Sequence, residues 1–175
     1  MAAPYRLDWH PVRRVRSLSD MPESRLTGQD VVELLGLEPL PDEGGMFRRV
    51  WATDHGSAIY FLLRPGDFSA FHRLRDPELW HYYGGDPALL VLISEDGEVT
   101  RHTLGIDIRA GHRPLQVVAP GTWMAAETTG EWTLLGTTMA PPFDPSGFEL
   151  GDRQHLLDLC PAASEEIARL TRPTG

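Results

Sequence analysis

One histidine and one glutamate have the spacing of an acid–base pair. His72 and Glu78 are six residues apart, and glycines precede and follow them at Gly66 and Gly85. An imidazole and a carboxyl group that face the same space can pass a proton to and from a small molecule. A glutamate buried near a histidine is costly unless it is paired or used, so this pair is a candidate catalytic centre. The competing interpretation is a satisfied polar pair inside a packed interior.

Strand parity places further side chains beside this pair. Both residues fall in apolar runs that predict β-strands, and alternate residues of a strand share a face. Trp80 and Tyr82 therefore share the inward face of Glu78, with Trp80 as a wall of the site and Tyr82 as a candidate acid. His81 falls on the opposite face unless a β-bulge shifts the parity.

Nine short apolar runs, bounded by turns rich in glycine, proline and acidic residues, predict the strands that position these side chains. They are Phe47–Ala52, Ala58–Leu63, Ser69–Leu74, Glu78–Tyr83, Ala88–Ser94, Val99–Leu104, Gln116–Ala119, Thr122–Glu127 and Trp132–Met139. Short strands at this spacing favour an antiparallel sandwich or barrel.

Helical patterns flank the strands. Thr27 is a plausible N-cap for a short amphipathic helix, and Gly36 ends it. The tail from Gln154 to Leu170 predicts two helical pieces that are broken at Pro161.

The chain divides into an arm and one domain. Residues 1–25 lack periodicity and contain Pro4, Pro11 and Pro22. They predict an N-terminal arm that lies on the surface or on a partner subunit. Residues 26–175 predict a single domain that ends in the helical tail.

The composition narrows the possible chemistry. The 175 residues include 16 basic residues, all of them Arg, and a single Cys, and the formal net charge is −9. The absence of Lys excludes Schiff-base and P-loop chemistry, and one Cys excludes an intrachain disulfide. The acidic balance disfavours nucleic acid and anionic membranes as partners. The sequence has no transmembrane run and no secretory pattern, so we expect a cytoplasmic protein.

The spacing around His72 is similar to the first cupin motif, in which a His-x-His pair and a later Glu ligate a metal ion. Leu74 replaces the second histidine here, and Met124 stands where the second cupin motif places its ligand histidine. His72 and Glu78 are then two ligands of the usual four, and His81 is a third only through a bulge. A divalent metal ion would bind weakly or not at all, and no cofactor is required.

A set of segments between Leu26 and Pro161 carries a wider resemblance. They are Leu35–Leu37, Glu43–Arg48, Ala58–Leu63, Phe71–Arg73, Glu78–Pro87, Leu104–Gly105, Gly121–Trp123, Phe143–Asp144 and Gly147–Arg153. The sequence resembles the cupin-5 family (DUF985) of the RmlC-like cupin superfamily. The resemblance implies an all-β fold, a double-stranded β-helix or cupin jelly-roll barrel with short flanking helices, and a homodimer. It implies no established reaction, although the family is similar in fold to deoxysugar epimerases that work without metal.

Further side chains are predicted to contact a ligand. Arg48 and Arg49 follow a glycine turn on one strand, so one faces inward and the other outward. An inward Arg favours an anionic ligand, and we assign that role to Arg48. Tyr60 and Met124 are assigned as further substrate contacts beside Trp80.

The leading hypothesis is a cupin-type enzyme that moves protons on a small polar or anionic metabolite, as an isomerase, epimerase, cyclase or lyase. His72 is the base, Glu78 orients it or shares its proton, and Tyr82 is the acid. A metal-dependent dioxygenase or decarboxylase is the second hypothesis, and a non-catalytic ligand-binding barrel is the third.

Overall fold

The strands form two antiparallel sheets whose apolar faces pack together. The computed structural model describes residues 26–172, and the predicted arm, residues 1–25, lies outside them. Within that range the strands are β1 Glu38–Pro39, β2 Met46–Thr53, β3 Gly56–Leu63, β4 Phe68–Leu74, β5 Glu78–Gly85, β6 Ala88–Ile93, β7 Val99–Leu104, β8 Leu115–Val118, β9 Trp123–Thr128, β10 Thr133–Met139 and β11 Phe148–Leu150. The larger sheet has the order β1-β2-β3-β10-β5-β8, and the smaller sheet has the order β11-β4-β9-β6-β7.

The chain crosses repeatedly between the sheets. Strands β3 to β6 alternate between the larger and the smaller sheet, and strands β8 to β11 do so again after the β6–β7 hairpin. This path winds the chain into a double-stranded β-helix, so the predicted jelly-roll barrel is confirmed. The winding places His72 of β4 and Glu78 of β5 on opposite sheets that face each other.

Apolar side chains at alternate positions fill the space between the sheets. Phe61 of β3 and Trp80 of β5 meet edge to face, with ring centroids 5.9 Å apart. Leu90 and Met124 reach the same core cluster from the smaller sheet. Because close-packed interiors resist deformation, this core holds the neighbouring polar side chains in fixed positions.

Three α-helices lie outside the barrel within residues 26–172. They are α1 Gly28–Leu35, α2 Arg153–Leu159 and α3 Ser164–Leu170. Thr27 is confirmed as the N-cap of α1, and it forms a capping box with Asp30. The Thr27 hydroxyl accepts from the Asp30 N–H, and the Asp30 carboxylate accepts from the Thr27 N–H. Gly36 ends the helix at a φ of 62°. The tail breaks at Pro161 as predicted, and α2 and α3 cover a second apolar cluster on the smaller sheet.

The nine predicted strands are confirmed, each with ends within two residues of the predicted ones. The patterns missed β1 and β11, because strands of two and three residues are too short to show alternation. No helix among residues 26–172 is long and apolar enough to cross a membrane.

Candidate functional site

A cavity of about 140 Å³ lies between the two sheets of the barrel. Its polar lining comes from Glu43, Arg49, Ser57, His72, Glu78 and Thr137. Its apolar lining comes from Leu40, Phe47, Ala58, Ile59, Leu74, Met139, Phe143 and Phe148. Arg49 and Phe143 are exposed to solvent, so they mark the mouth, whereas His72 and Glu78 are buried and mark the inner end.

His72 is held in one orientation on β4. Its Nδ1 lies 2.8 Å from the carbonyl oxygen of Ala70. Because a carbonyl only accepts, Nδ1 donates and carries the proton, which leaves the lone pair of the neutral ring on Nε2. The ring of Phe148 stacks on the imidazole at 5.3 Å with an interplanar angle of 22°. This arrangement suits a base whose accepting nitrogen is fixed in advance.

Glu78 begins β5 and is 7% exposed. The indole N–H of Trp80 donates to its carboxyl group over 2.8 Å. Burial raises the pKa of Glu78 to about 7 because the charged form loses its hydration. The charge of His72 opposes that rise in pKa, and the carboxylate of Glu43 adds to it. Glu78 therefore exchanges protons in the neutral range.

Glu43 is a third polar group of the inner end, and the sequence interpretation missed its role. Its carboxylate accepts a hydrogen bond of 2.7 Å from the Ser69 hydroxyl. Its other oxygen lies 4.0 Å from Nε2 of His72. The only signal for it in the sequence was the adjacent glycine, Gly44. In the structure Gly44 has a φ of 100°, and a Cβ there would lie 2.6 Å from the carbonyl oxygen of Phe68. That close approach brings Glu43 against β4.

Arg49, not Arg48, lines the cavity. In the β2–β3 ladder, Arg49 lies opposite Ile59, which also lines the cavity, and Arg48 lies opposite Tyr60 on the outer face. The guanidinium of Arg48 donates to the carbonyl oxygen of Leu35 at the end of α1 over 2.9 Å. Arg48 and Tyr60 are therefore not brought together with His72. The glycine turn could not reveal which of the two arginines faces inward, because it does not fix the parity of the strand.

Three other predicted residues do not line the cavity. Trp80 and Met124 are buried in the core cluster, and Trp80 reaches the site through its hydrogen bond to Glu78. The hydroxyl of Tyr82 donates to the carbonyl oxygen of Gly85 over 2.5 Å. Burial raises the pKa of Tyr82, and the charge of Asp86 adds to that rise, so its hydroxyl is a poor proton donor to a ligand.

His81 lies on the outer face of the larger sheet. Its Nε2 is 3.1 Å from the Thr138 hydroxyl, and its ring stacks on Tyr83. The register of the β5–β10 pair does shift, but only where Tyr82 and Gly84 oppose the partner strand, beyond His81. The parity between Glu78 and His81 is therefore that of a regular strand, and His81 does not join His72.

The donor set does not fit a metal centre of the cupin type. Leu74 and Met124 offer no imidazole at two of the usual ligand positions, and His81 points away. Among residues 26–172, no group of three or more His, Cys, Asp or Glu side chains is arranged to hold a metal ion. The geometry instead presents one imidazole and two carboxyl groups at the end of a partly apolar cavity.

The barrel, its two facing sheets and its polar inner end define a cupin. The family described as the Cupin superfamily (DUF985) matches residues 29–151, and the chain belongs to that family. No functionally curated protein matches the sequence.

Solved structures show the same fold. A protein from Shewanella oneidensis is 32% identical with a TM-score of 0.81, covering 86% of this chain and 100% of its own. A hypothetical protein from Leishmania major is 24% identical with a TM-score of 0.78, covering 85% of this chain and 100% of its own. Oxalate decarboxylase from Bacillus subtilis is 14% identical with a TM-score of 0.54, covering 79% of this chain and 41% of its own. The last two similarities are of fold alone.

Proposed function

We propose that this protein is a small-molecule enzyme that catalyses proton transfer in the barrel cavity. The reaction class is isomerisation, epimerisation, cyclisation or elimination on a small polar or anionic metabolite. The observation that carries the proposal is how the imidazole of His72 is oriented and hydrogen-bonded. Its Nδ1–H is fixed on a backbone carbonyl, and its Nε2 faces a cavity that also holds Glu43 and Glu78.

Each polar group of the inner end has a role in this proposal. Nε2 of His72 accepts a proton from the substrate, and the carboxylate of Glu43 stabilises the imidazolium that forms. Glu78, with a pKa of about 7, is about half protonated at neutral pH and returns a proton to the substrate. In this proposal Glu78 is the acid in place of Tyr82, because the Tyr82 hydroxyl already donates to the carbonyl oxygen of Gly85.

The experiment begins with the ligand itself. Mass spectrometry of small molecules that remain bound through native purification gives candidate substrates, and each is assayed with the wild-type protein. His72→Gln keeps the size and polarity of the side chain but removes the basic nitrogen, and we expect it to lower turnover by about 100-fold or more. Turnover by His72→Gln at the wild-type rate would remove His72 from the reaction.

A non-catalytic ligand-binding barrel is the second candidate. The apolar side chains that make up much of the cavity lining favour it, because such a wall holds a ligand without chemistry. A retained ligand that the wild-type protein binds and never converts would support this candidate over the enzyme.

We also propose that two copies of this chain associate through the outer face of the larger sheet. Tyr83 of β5 is exposed on that sheet, and so are Leu115 and Val117 of the neighbouring edge strand β8. Exposed apolar side chains that cluster on one face are typical of a protein interface. The cytoplasmic location expected from the sequence stays a prediction.

A further inference from the structure

The two ends of the cavity differ in charge. Glu43 and Glu78 supply carboxyl groups at the inner end, with the imidazole of His72 between the sheets beside them. Arg49 supplies a guanidinium at the mouth. A ligand that carries a charge will therefore enter in one orientation.

Arg49 is placed to receive an anion. Its strand position opposite Ile59 turns it towards the cavity, and its side chain is exposed. Within residues 26–172, it makes no hydrogen bond or ion pair through its side chain. A guanidinium presents a planar fork of donors that matches the two oxygens of a carboxylate. An acidic group of the ligand would be favoured at the mouth and disfavoured beside Glu43.

The walls between the two ends are apolar and enclose a small volume. Phe47, Ile59, Phe143 and Phe148 form much of this middle section. The cavity volume of about 140 Å³ is close to that of an engineered apolar cavity of about 150 Å³ that binds benzene. A sugar ring would leave its hydroxyl groups unpaired against these walls, which is costly. The cavity as a whole therefore has room for a ligand body of about one six-membered ring, and its apolar walls favour a hydrocarbon one.

We propose that the ligand is a small amphiphilic monocarboxylate with an apolar body the size of one ring. Its carboxylate binds Arg49 at the mouth, its body fills the apolar section, and an uncharged hydroxyl or carbonyl group points to His72 and Thr137. Only the statement that this inner group reacts depends on the proposed function. The binding mode depends on the shape and charge of the cavity.

Benzoate and benzamide test the proposal without any turnover. The two probes have the same ring and nearly the same shape, but only benzoate is charged at neutral pH. Isothermal titration calorimetry at millimolar probe concentrations should show that the wild-type protein binds benzoate about tenfold more tightly than benzamide, since charge-assisted hydrogen bonds are the stronger ones. Arg49→Gln should lose that tenfold preference and leave benzamide binding unchanged, whereas Arg49→Lys should keep part of it.

Arg48→Gln is the matched variant, because it removes the neighbouring guanidinium from the outer face. It should leave the affinity for both probes unchanged. Equal binding of the two probes by wild type, failure of both to bind, or loss of the preference in Arg48→Gln instead of Arg49→Gln would overturn the proposal. None of these binding results would decide the His72 turnover experiment, so the ligand proposal and the proposed function can be refuted independently.

Discussion

Glu78 is the residue whose protonation couples the site to the stability of the fold. The ordinary pKa of its carboxyl group is 4.5, and burial raises that pKa to about 7 in the folded protein. Between those pH values the folded chain holds a proton that the unfolded chain has released. The contribution of Glu78 to the free energy of unfolding is therefore fully present below pH 4.5, and it is lost as the pH rises through about 7.

The first prediction concerns Glu78→Gln. Because one pKa unit corresponds to about 1.4 kcal/mol, the group should lower the free energy of unfolding by about 3 kcal/mol across that window. Glu78→Gln stays neutral at every pH and should flatten the pH dependence by this amount. Urea denaturation at a series of pH values measures it.

Glu98→Gln is the control, because Glu98 is exposed in the β6–β7 turn and lies outside the cavity. Its pH profile should follow that of the wild-type protein. A profile of Glu78→Gln as steep as the wild-type one would show that Glu78 does not keep a proton on folding.

At the scale of elements, the turn before β2 positions Glu43. Gly44 and Gly66 both have a positive φ, 100° and 85° respectively. A Cβ at Gly44 would meet the Phe68 carbonyl oxygen at 2.6 Å, whereas a Cβ at Gly66 would meet nothing within 4 Å. Replacing each glycine by alanine therefore separates two losses of stability. Both variants have the strain of a positive φ, and only the Gly44 variant also has the clash.

The second prediction compares Gly44→Ala with Gly66→Ala. Both should lose about 1 kcal/mol of stability because alanine resists a positive φ. Gly44→Ala should lose about 1–3 kcal/mol more, because the backbone of β4 must move to make room. Urea denaturation gives both values, and equal losses would mean that the turn does not press against β4.

Strand parity explains how far the sequence predicts this site. Alternation placed His72 and Glu78 on facing interior surfaces and His81 on the outer face, because each lies in a strand long enough to show a pattern. Glu43 lies in a loop, so no periodicity links it to His72, and only the three-dimensional turn brings them together. The choice between Arg48 and Arg49 needed the register of β2 against β3, which depends on tertiary pairing.

The sequence did not predict the part of the cavity wall that comes from short elements after β10. The apolar cavity wall includes Phe143 and Phe148, which follow β10 in a segment that contains a short 3-10 helix, Pro145–Gly147, and the short strand β11. Their side chains pack on the site through contacts that are distant in sequence, such as Phe148 on His72. The barrel itself was predictable because its longer strands carry regular apolar runs.

At the scale of the whole molecule, exposed apolar side chains on the outer face of the larger sheet lead us to expect a dimer. Leu115 and Val117 are 42% and 50% exposed on β8. The third prediction is that the wild-type protein has the mass of a dimer in light scattering, and that Leu115→Arg with Val117→Arg has the mass of a monomer. Ile106→Arg, in the loop before β8, should remain dimeric. A wild-type monomer, or a dimer in the double variant, would contradict this arrangement.

The measurement that tests the central claim most directly is deuterium transfer from solvent. In an isomerisation or epimerisation at carbon, the acid that returns the proton exchanges its own proton with D₂O, so the substrate gains deuterium. The wild-type protein, incubated with a metabolite extract in D₂O, should add deuterium to a specific metabolite detected by mass spectrometry. His72→Gln should slow that incorporation by about 100-fold or more. His155→Gln, at an exposed position of α2, should not change it. Deuterium incorporation by His72→Gln at the wild-type rate would contradict proton transfer by His72.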